Sequence, residues 1–378
     1  MVGEALIQIL NFWLGLFFVL AGGYGVYFAY VKFRAAKPWG LKIGEDFLPA
    51  VTILVPVHNE KGVIELKLEN IAEVSYPKEK MEVVVADDAS TDGTLAKVYE
   101  FKRRHSELNI KVVEQNPRVG KARVLNAALP VCANDVIVVS DADCFWHLDI
   151  LRKALPYLSD PTVGAVTGSG IIENPDGSWV TRGEANYLGL SGLLRLGESK
   201  IHSTIRFEGG FCAYKRGAFK EFDCESGSDD SGTALYVVQN GFRTIFVPEA
   251  RFMTKFPRDL KGKIRVKVRR ANQLIWLWIK CLRLLLKRRL LLPKRIAISD
   301  MFLFVVNPVV FFALLLVTLV TAFVYPAFFI PLVIVLSLVC LVPTVRSYLV
   351  EVMLNNSILF YALVSCVRGK KFVAWEKS

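Results

Sequence analysis

Asp141-Ala-Asp143 follows the apolar run Val136-Ile-Val-Val-Ser, which reads as a short buried strand. Two carboxylates one residue apart at a strand end form a hard, oxygen-rich site. Mg²⁺ or Mn²⁺ needs such a site when the ion also holds substrate phosphates. Alone, Asp-x-Asp more often describes a polar turn after a strand. Its neighbours favour the site: His58-Asn59-Glu60 closes the run Val51–Pro56, and Asp87-Asp88 closes the run Met81–Ala86.

The elements that must hold these groups alternate. Val51–Pro56, Met81–Ala86, Ile110–Glu114 and Val136–Ser140 read as strands. Glu60–Val74, a segment through Arg104 with Asp92 as a plausible N-cap, and Gly120–Leu129 have helical spacing. Strands alternating with helices predict a parallel, doubly wound sheet, whose ligands bind at the carboxyl ends of the strands. There is no Gly-x-Gly-x-x-Gly and no Gly-Lys-Ser/Thr phosphate loop, which disfavours a dinucleotide dehydrogenase or a P-loop ATPase.

The chain is basic and apolar at once, with a formal net charge of +12 and 53% hydrophobic residues. That combination predicts a membrane protein with an anionic ligand or anionic lipids. Gly3–Tyr30 is long enough to span a bilayer, and Lys32, Arg34 and Lys37 follow it without a cleavage site, so it reads as a retained anchor. Ile296–Tyr325 and Ala327–Tyr348 read as two further spans, and Ser357–Val367 as a shorter interfacial or re-entrant segment. Basic flanks place the intervening chain in the cytoplasm. The expected organisation is residues 1–35 anchor, 36–260 catalytic domain, 261–295 basic amphipathic helices and 296–378 C-terminal spans. The seven cysteines are scattered and read as reduced, mostly buried thiols, with no zinc site or disulfide framework.

Val55-Pro-Val-His-Asn-Glu60, Asp87-Asp-Ala-Ser-Thr-Asp-Gly-Thr94, Gly120-Lys-Ala-Arg-Val-Leu-Asn126 and Asp141-Ala-Asp143 resemble, in order and spacing, the motifs of family 2 glycosyltransferases. The membrane layout resembles the hyaluronan, chitin and cellulose synthase branch. The resemblance implies an α/β GT-A fold, Rossmann-like with a mostly parallel sheet, and inverting transfer from a nucleotide-diphosphate sugar, expected to be a UDP-sugar. It makes Asp143 the direct ligand of Mg²⁺ or Mn²⁺, and Asp141 a ribose contact or part of the metal shell. Pro56, His58, Glu60 and either Asp87 or Asp88 would meet the nucleotide. Lys121 either reaches the nucleotide or lies on a solvated helix face. Ser90 and Asp92 read as turn and capping residues.

Inversion requires a base to take the acceptor proton. In Gly227-Ser-Asp229-Asp230 the resemblance makes Asp230 that base, with Asp229 replacing the usual glutamate beside the acceptor or serving as N-cap for a helix Thr233–Asn240. Glu208, Gly209 and Gly210 match the segment that holds the acceptor, while Trp179 and Tyr187 are candidate sugar-stacking rings or plain core. Lys261–Leu292 carries eleven Lys and Arg among apolar residues. It reads as an amphipathic helix or pair on the membrane, with Trp276 and Trp278 at the headgroups and no nucleic-acid role. Its Val266-Lys-Val-Arg269-Arg270-Ala keeps the arginine of the family's Gln-x-x-Arg-Trp but neither the glutamine nor the tryptophan. Arg269 and Arg270 remain candidates for the donor diphosphate. The lost tryptophan weighs against long polymers. The expected protein is thus a multi-pass cell-membrane enzyme acting on a polysaccharide or lipid-linked acceptor. The alternatives are single-sugar transfer to a polyprenyl phosphate or membrane glycolipid, and a non-catalytic sugar-binding membrane protein. The latter fits poorly with retention of Asp141, Asp143 and Asp230.

Overall fold

The computed structural model describes residues 2–372 except 174, 176, 326–329, 331, 332, 335, 336, 339 and 340. Strands β1 (Val51–Val57), β2 (Met81–Asp88), β3 (Asn109–Gln115) and β4 (Val136–Val139) pair in parallel in the order β3-β2-β1-β4. The sheet then turns mixed. β7 (Cys212–Lys215) runs antiparallel to β4, and β6 (Val163–Ile172), β8 (Arg243–Thr254) and β5 (Cys144–Trp146) complete eight strands in the order β3-β2-β1-β4-β7-β6-β8-β5. The Val/Ile-rich runs reflect burial of both faces. Alternate residues go to opposite cores: Ile53 and Val55 face α2 (Ile64–Glu73) and α3 (Thr94–Arg104), while Leu54 faces α4 (Lys121–Ala128) and α7 (Asp229–Gln239).

Three helices among the described residues are long and apolar enough to cross a membrane: Leu6–Ala35 within α1 (Val2–Ala35), Lys294–Val324 and Val345–Val367. The last corrects the expected short segment at Ser357–Val367, which is the end of a 25-residue helix, Pro343–Val367. Much of the expected span Ala327–Tyr348 lies outside the described residues.

A second correction concerns Trp278 of α8 (Leu260–Leu286), which is a single helix, one of the two expected forms. Some of the helix's apolar residues face protein on two sides, while Ile264, Leu282 and Leu286 are exposed. Leu277, Trp278 and Cys281 join the core beneath the sheet, and Ala271 and Ile275 pack on Ile358 and Ala362 of the C-terminal helix. Trp278 is fully buried and therefore not at lipid headgroups, because the sheet side offers it a larger apolar surface than an interface would. Six cysteines are free, five of them buried, and Cys340 is outside the described residues.

Trp278→Ala should lose about 3–5 kcal/mol of stability, the usual cost of emptying a large aromatic site in a core. Leu286→Ala, exposed at the helix end, should leave the thermal midpoint in the same detergent unchanged. Equal midpoints for the two variants would contradict the packing of α8 on the domain.

Candidate active site

β2, β1 and β4 are neighbours, so their carboxyl ends open on one edge of the sheet. The loops after β1 and β2 are tied together there. His58 Nδ1 lies 2.6 Å from the Asp88 carbonyl oxygen, and the Asn59 and Glu60 amides donate to Ser90 Oγ and Thr94 Oγ1 at 2.9 and 2.8 Å. Asn59 and Ala89 hold φ of 56° and 59°, left-handed conformations that these bonds enforce. Asp92 Oδ1 accepts from the Thr94 amide at 3.0 Å. Pro56 is buried within β1 opposite Ala86.

Asp87 and Asp88 differ. Both Asp88 oxygens are occupied by backbone, Oδ1 by Val119 N–H at 2.7 Å and Oδ2 by Gly120 N–H at 2.9 Å. Asp88 thereby pins the loop ahead of α4, where Gly120 takes φ +92°, a conformation open to glycine. Asp87 is 2% exposed. Its Oδ2 accepts from Ser90 N–H at 3.0 Å, and Oδ1 has no hydrogen-bond partner among the described residues.

A cavity of about 460 Å³ lies beside this edge. Lys121, Asp141, Asp229 and Asp230 line one part of it, with Glu208, Gly209 and Gly210 next to them and Arg269 and Arg270 contributed by α8. Pro56, His58, Glu60, Asp87, Asp88 and Asp143 are not among its lining residues. Lys121 Nζ bridges Asp141 Oδ1 at 2.7 Å and Asp229 Oδ2 at 3.0 Å, so it is no solvated side chain. Burial alone would raise the Asp141 carboxyl, but the Lys121 ammonium outweighs burial and holds it below the usual range. Burial prevails at Asp229, which is pushed up to about 6 with help from Asp230 and Asp141.

Asp229 and Asp230 occupy the first turn of α7, one turn earlier than the expected helix start, and Ser228 takes the N-cap position that Asp229 was expected to fill. Asp230 Oδ1 accepts from Ser228 Oγ and the Ser231 amide, both at 2.6 Å. Glu208 pairs with Arg195 of α6 (Trp179–Ile201) at 2.8 Å. The Gly209 carbonyl accepts from Asp141 N–H at 2.9 Å. Tyr187 lines the cavity, whereas Trp179 is half exposed and outside the lining.

One oxygen each from Asp141 and Asp143 and the Cys144 sulfur lie within 4.8 Å of one another. Burial, reinforced by Asp143 and Asp141, pushes the Cys144 thiol well up, so it stays a thiol and a poor ligand for a hard ion. The usable donors are two carboxylates with room for phosphate and water oxygens, which fits Mg²⁺ or Mn²⁺. Burial and the Asp141 charge push the Asp143 carboxyl up, a crowding that a cation would relieve.

Several cavity residues carry no motif in the sequence: Arg195, Glu184, Gln273 and Phe304. They come from helices and become neighbours only in the fold. Lys67, fully buried under the Asp141–Asp143 turn, was also missed. Burial pulls its ammonium down to about 7. The signal was present, since Lys67 shares the i, i+3, i+4, i+7 face with Ile64, Leu68 and Ile71.

Residues 49–273 match the model of the glycosyltransferase-like family 2. The chain belongs to that family. It is 29% identical over 239 residues to an N-acetylglucosaminyltransferase of Rhizobium meliloti (strain 1021), covering 60% of this chain and 55% of the relative. It is 26% identical over 234 residues to a poly-β-1,6-N-acetyl-D-glucosamine synthase of Staphylococcus aureus, covering 61% and 56%. The chain thus spans about half the length of these curated relatives. Among solved structures, a mannosyltransferase from Pyrobaculum calidifontis in complex with GDP-Man and Mn²⁺ superposes with a TM-score of 0.80 at 29% identity, covering 96% of this chain and all of that one. The fold of this family member is GT-A-like, as its sheet order and strand-end carboxylates also indicate.

A methyl group at Gly209 would sit 2.6 Å from Asp141 Oδ2 and 3.0 Å from Lys121 Nζ. Gly209→Ala should therefore displace Asp141 and weaken Mn²⁺-dependent nucleotide binding at least about tenfold, the scale for disturbing a metal's supporting shell. Calorimetry with an unchanged thermal midpoint would check it.

Proposed function

We propose that this protein is a membrane-anchored, inverting glycosyltransferase that moves a sugar from a nucleotide-diphosphate donor to a lipid-linked or polysaccharide acceptor. One observation carries the reading: a single cavity joins Asp141, beside the metal-binding turn, to the paired carboxylates Asp229 and Asp230. Donor and acceptor functions would then face each other across the reacting carbon.

A divalent ion held by Asp141 and Asp143 would supply Lewis-acid neutralisation of the departing diphosphate. Asp87, with its unpartnered buried Oδ1, is the better placed of the two adjacent aspartates to accept an N–H of the base. Asp88 is committed to the Val119–Gly120 loop. Pro56, His58 and Glu60 then shape the nucleotide site from behind. Arg269 and Arg270 meet the diphosphate. Lys121 holds Asp141 and Asp229 in place until the donor arrives. Asp230 takes the proton as the acceptor oxygen attacks the anomeric carbon from the face opposite the diphosphate, and the carbon–oxygen bond to the diphosphate breaks. Glu208, Gly209 and Gly210 border the acceptor.

The cavity also reaches Phe304, in the turn Phe302–Val306 of the Lys294–Val324 span. That favours an acceptor delivered from the bilayer. Among donors, a UDP-sugar is the expectation from the family resemblance. GDP-mannose is the second reading, supported by the GDP-Man in the Pyrobaculum calidifontis structure. The basic flanks Lys32, Arg34, Lys37 and Lys280–Arg295 favour a cytoplasmic catalytic domain in a multi-pass protein.

A screen of UDP- and GDP-sugars with Mn²⁺ and membrane lipid extract should reveal transfer that EDTA abolishes and Mn²⁺ restores. Asp230→Asn should bind nucleotide and Mn²⁺ normally yet transfer at least roughly a hundredfold more slowly, the scale for losing a general base. Asp143→Asn should lose the metal-dependent part of nucleotide binding. Wild-type turnover by Asp230→Asn would transfer the role to Asp229.

Topology is checked by protease protection in sealed inside-out and right-side-out vesicles. Residues 36–295 should be cleaved only where the cytoplasmic face is outward.

A further inference from the structure

The turn that carries Asp141 and Asp143 stands on a buried cation. Lys67 is the only charged side chain among the four buried residues of α2, and none of it is exposed. Among the described residues no carboxylate forms an ion pair with it. Its Nζ donates instead to Ser140 Oγ at 2.7 Å and to the Cys144 carbonyl at 2.5 Å, the residues immediately before and after the Asp141–Asp143 turn. The Trp146 ring covers it at 4.5 Å from the centroid. An ammonium out of water costs several kcal/mol unless it is solvated by protein dipoles, and these three groups are its solvation shell.

The bonds continue to a second turn. Ser140 Oγ donates to the Gly210 carbonyl at 2.9 Å, and Trp146 Nε1 donates to the same oxygen at 2.8 Å. One helical turn along α2, Asn70 exchanges two bonds with the Trp146 backbone at 2.9 and 2.7 Å. Thus α2 grips residues 140–146 at two points, and through Ser140 and Trp146 it sets the Gly209–Gly210 turn.

We propose that Lys67 is a positioning residue for the divalent-metal site: it holds the Asp141–Asp143 turn in the geometry that binds the ion and keeps it in register with the Gly209–Gly210 turn. This rests on the metal-dependent glycosyltransferase reading. Lys67 is not among the residues that line the cavity. It acts by fixing the backbone on both sides of the two carboxylates.

The test is made on the full-length protein with Mn²⁺ alone, read by the electron paramagnetic resonance of free Mn²⁺. UDP and GDP are then titrated calorimetrically at several Mn²⁺ concentrations. Lys67→Met keeps the bulk and removes the donor. It should raise the half-saturating Mn²⁺ concentration by about 10–100-fold, the range found when groups behind metal ligands are removed. Nucleotide affinity at saturating Mn²⁺ should recover to near wild type. Ser140→Ala removes the link to Gly210 and should shift Mn²⁺ in the same direction by a smaller factor. A lysine that merely fills the core would change the thermal midpoint and leave Mn²⁺ binding alone. Half-saturation unchanged in both variants, with wild type binding Mn²⁺ normally, overturns the role of Lys67 only. If Lys67→Met does not fold, the Ser140→Ala value decides the matter by itself. Failure of the wild type to bind Mn²⁺ overturns the metal-dependent reading and this proposal with it.

Discussion

A single ammonium between opposed carboxylates organises this molecule. Lys121 comes from the start of α4, Asp141 from the end of β4 and Asp229 from the first turn of α7, and the Lys121 bridge holds all three. Carboxylates brought this close out of water repel one another and lose hydration, so they stay together only with a cation among them. The surroundings follow from that need. Asp88 fixes the loop from which Lys121 departs. The Gly209 carbonyl fixes the Asp141 amide. Arg269 and Arg270 bring further positive charge to the same space from a helix packed on the apolar C-terminal helix.

The same compensation recurs among the apolar helices. Tyr27 of the N-terminal apolar helix α1 donates to Glu198 of α6 at 3.1 Å. Glu198 pairs with Arg206 at 2.6 Å, and Arg206 lies 3.5 Å from Asp300 in the apolar helix Lys294–Val324. Arg206 also lines the cavity. Two apolar helices and the catalytic fold therefore share one buried network, whose members are worth more together than in pairs. The glycosyltransferase fold is thus packed directly against its long apolar helices.

The sheet was legible because its first four strands carry local signals. Val/Ile runs mark strands buried on both faces, and each ends in polar residues. The carboxylates at those ends were legible for the same reason. The mixed half of the sheet was not. β5 and β7 are three and four residues long and end in no paired carboxylates, while β6 and β8, ten and twelve residues long, pair with register shifts that break a strict alternation. The burial of Trp278 in α8 was not legible, because a basic amphipathic pattern describes any helix with an apolar stripe. Lipid and a protein core attract that stripe alike, and here Trp278 found the core. The division of labour between Asp87 and Asp88 depended on backbone amides thirty residues away, which no motif encodes.

Lys263 and Lys267 of α8 are buried, and their partners lie across the molecule: Glu351 for Lys263 at 2.5 Å, and Asn355 and Glu184 for Lys267 at 2.9 and 2.7 Å. Glu351 and Asn355 belong to the C-terminal helix. A soluble fragment cut off before that helix would strip Lys263 of its counter-charge and bare the Ala271 and Ile275 face of α8. Leaving one member of a buried ion pair behind costs about 3–5 kcal/mol. Dissection into a water-soluble catalytic piece would thus loosen the very helix that carries Arg269 and Arg270.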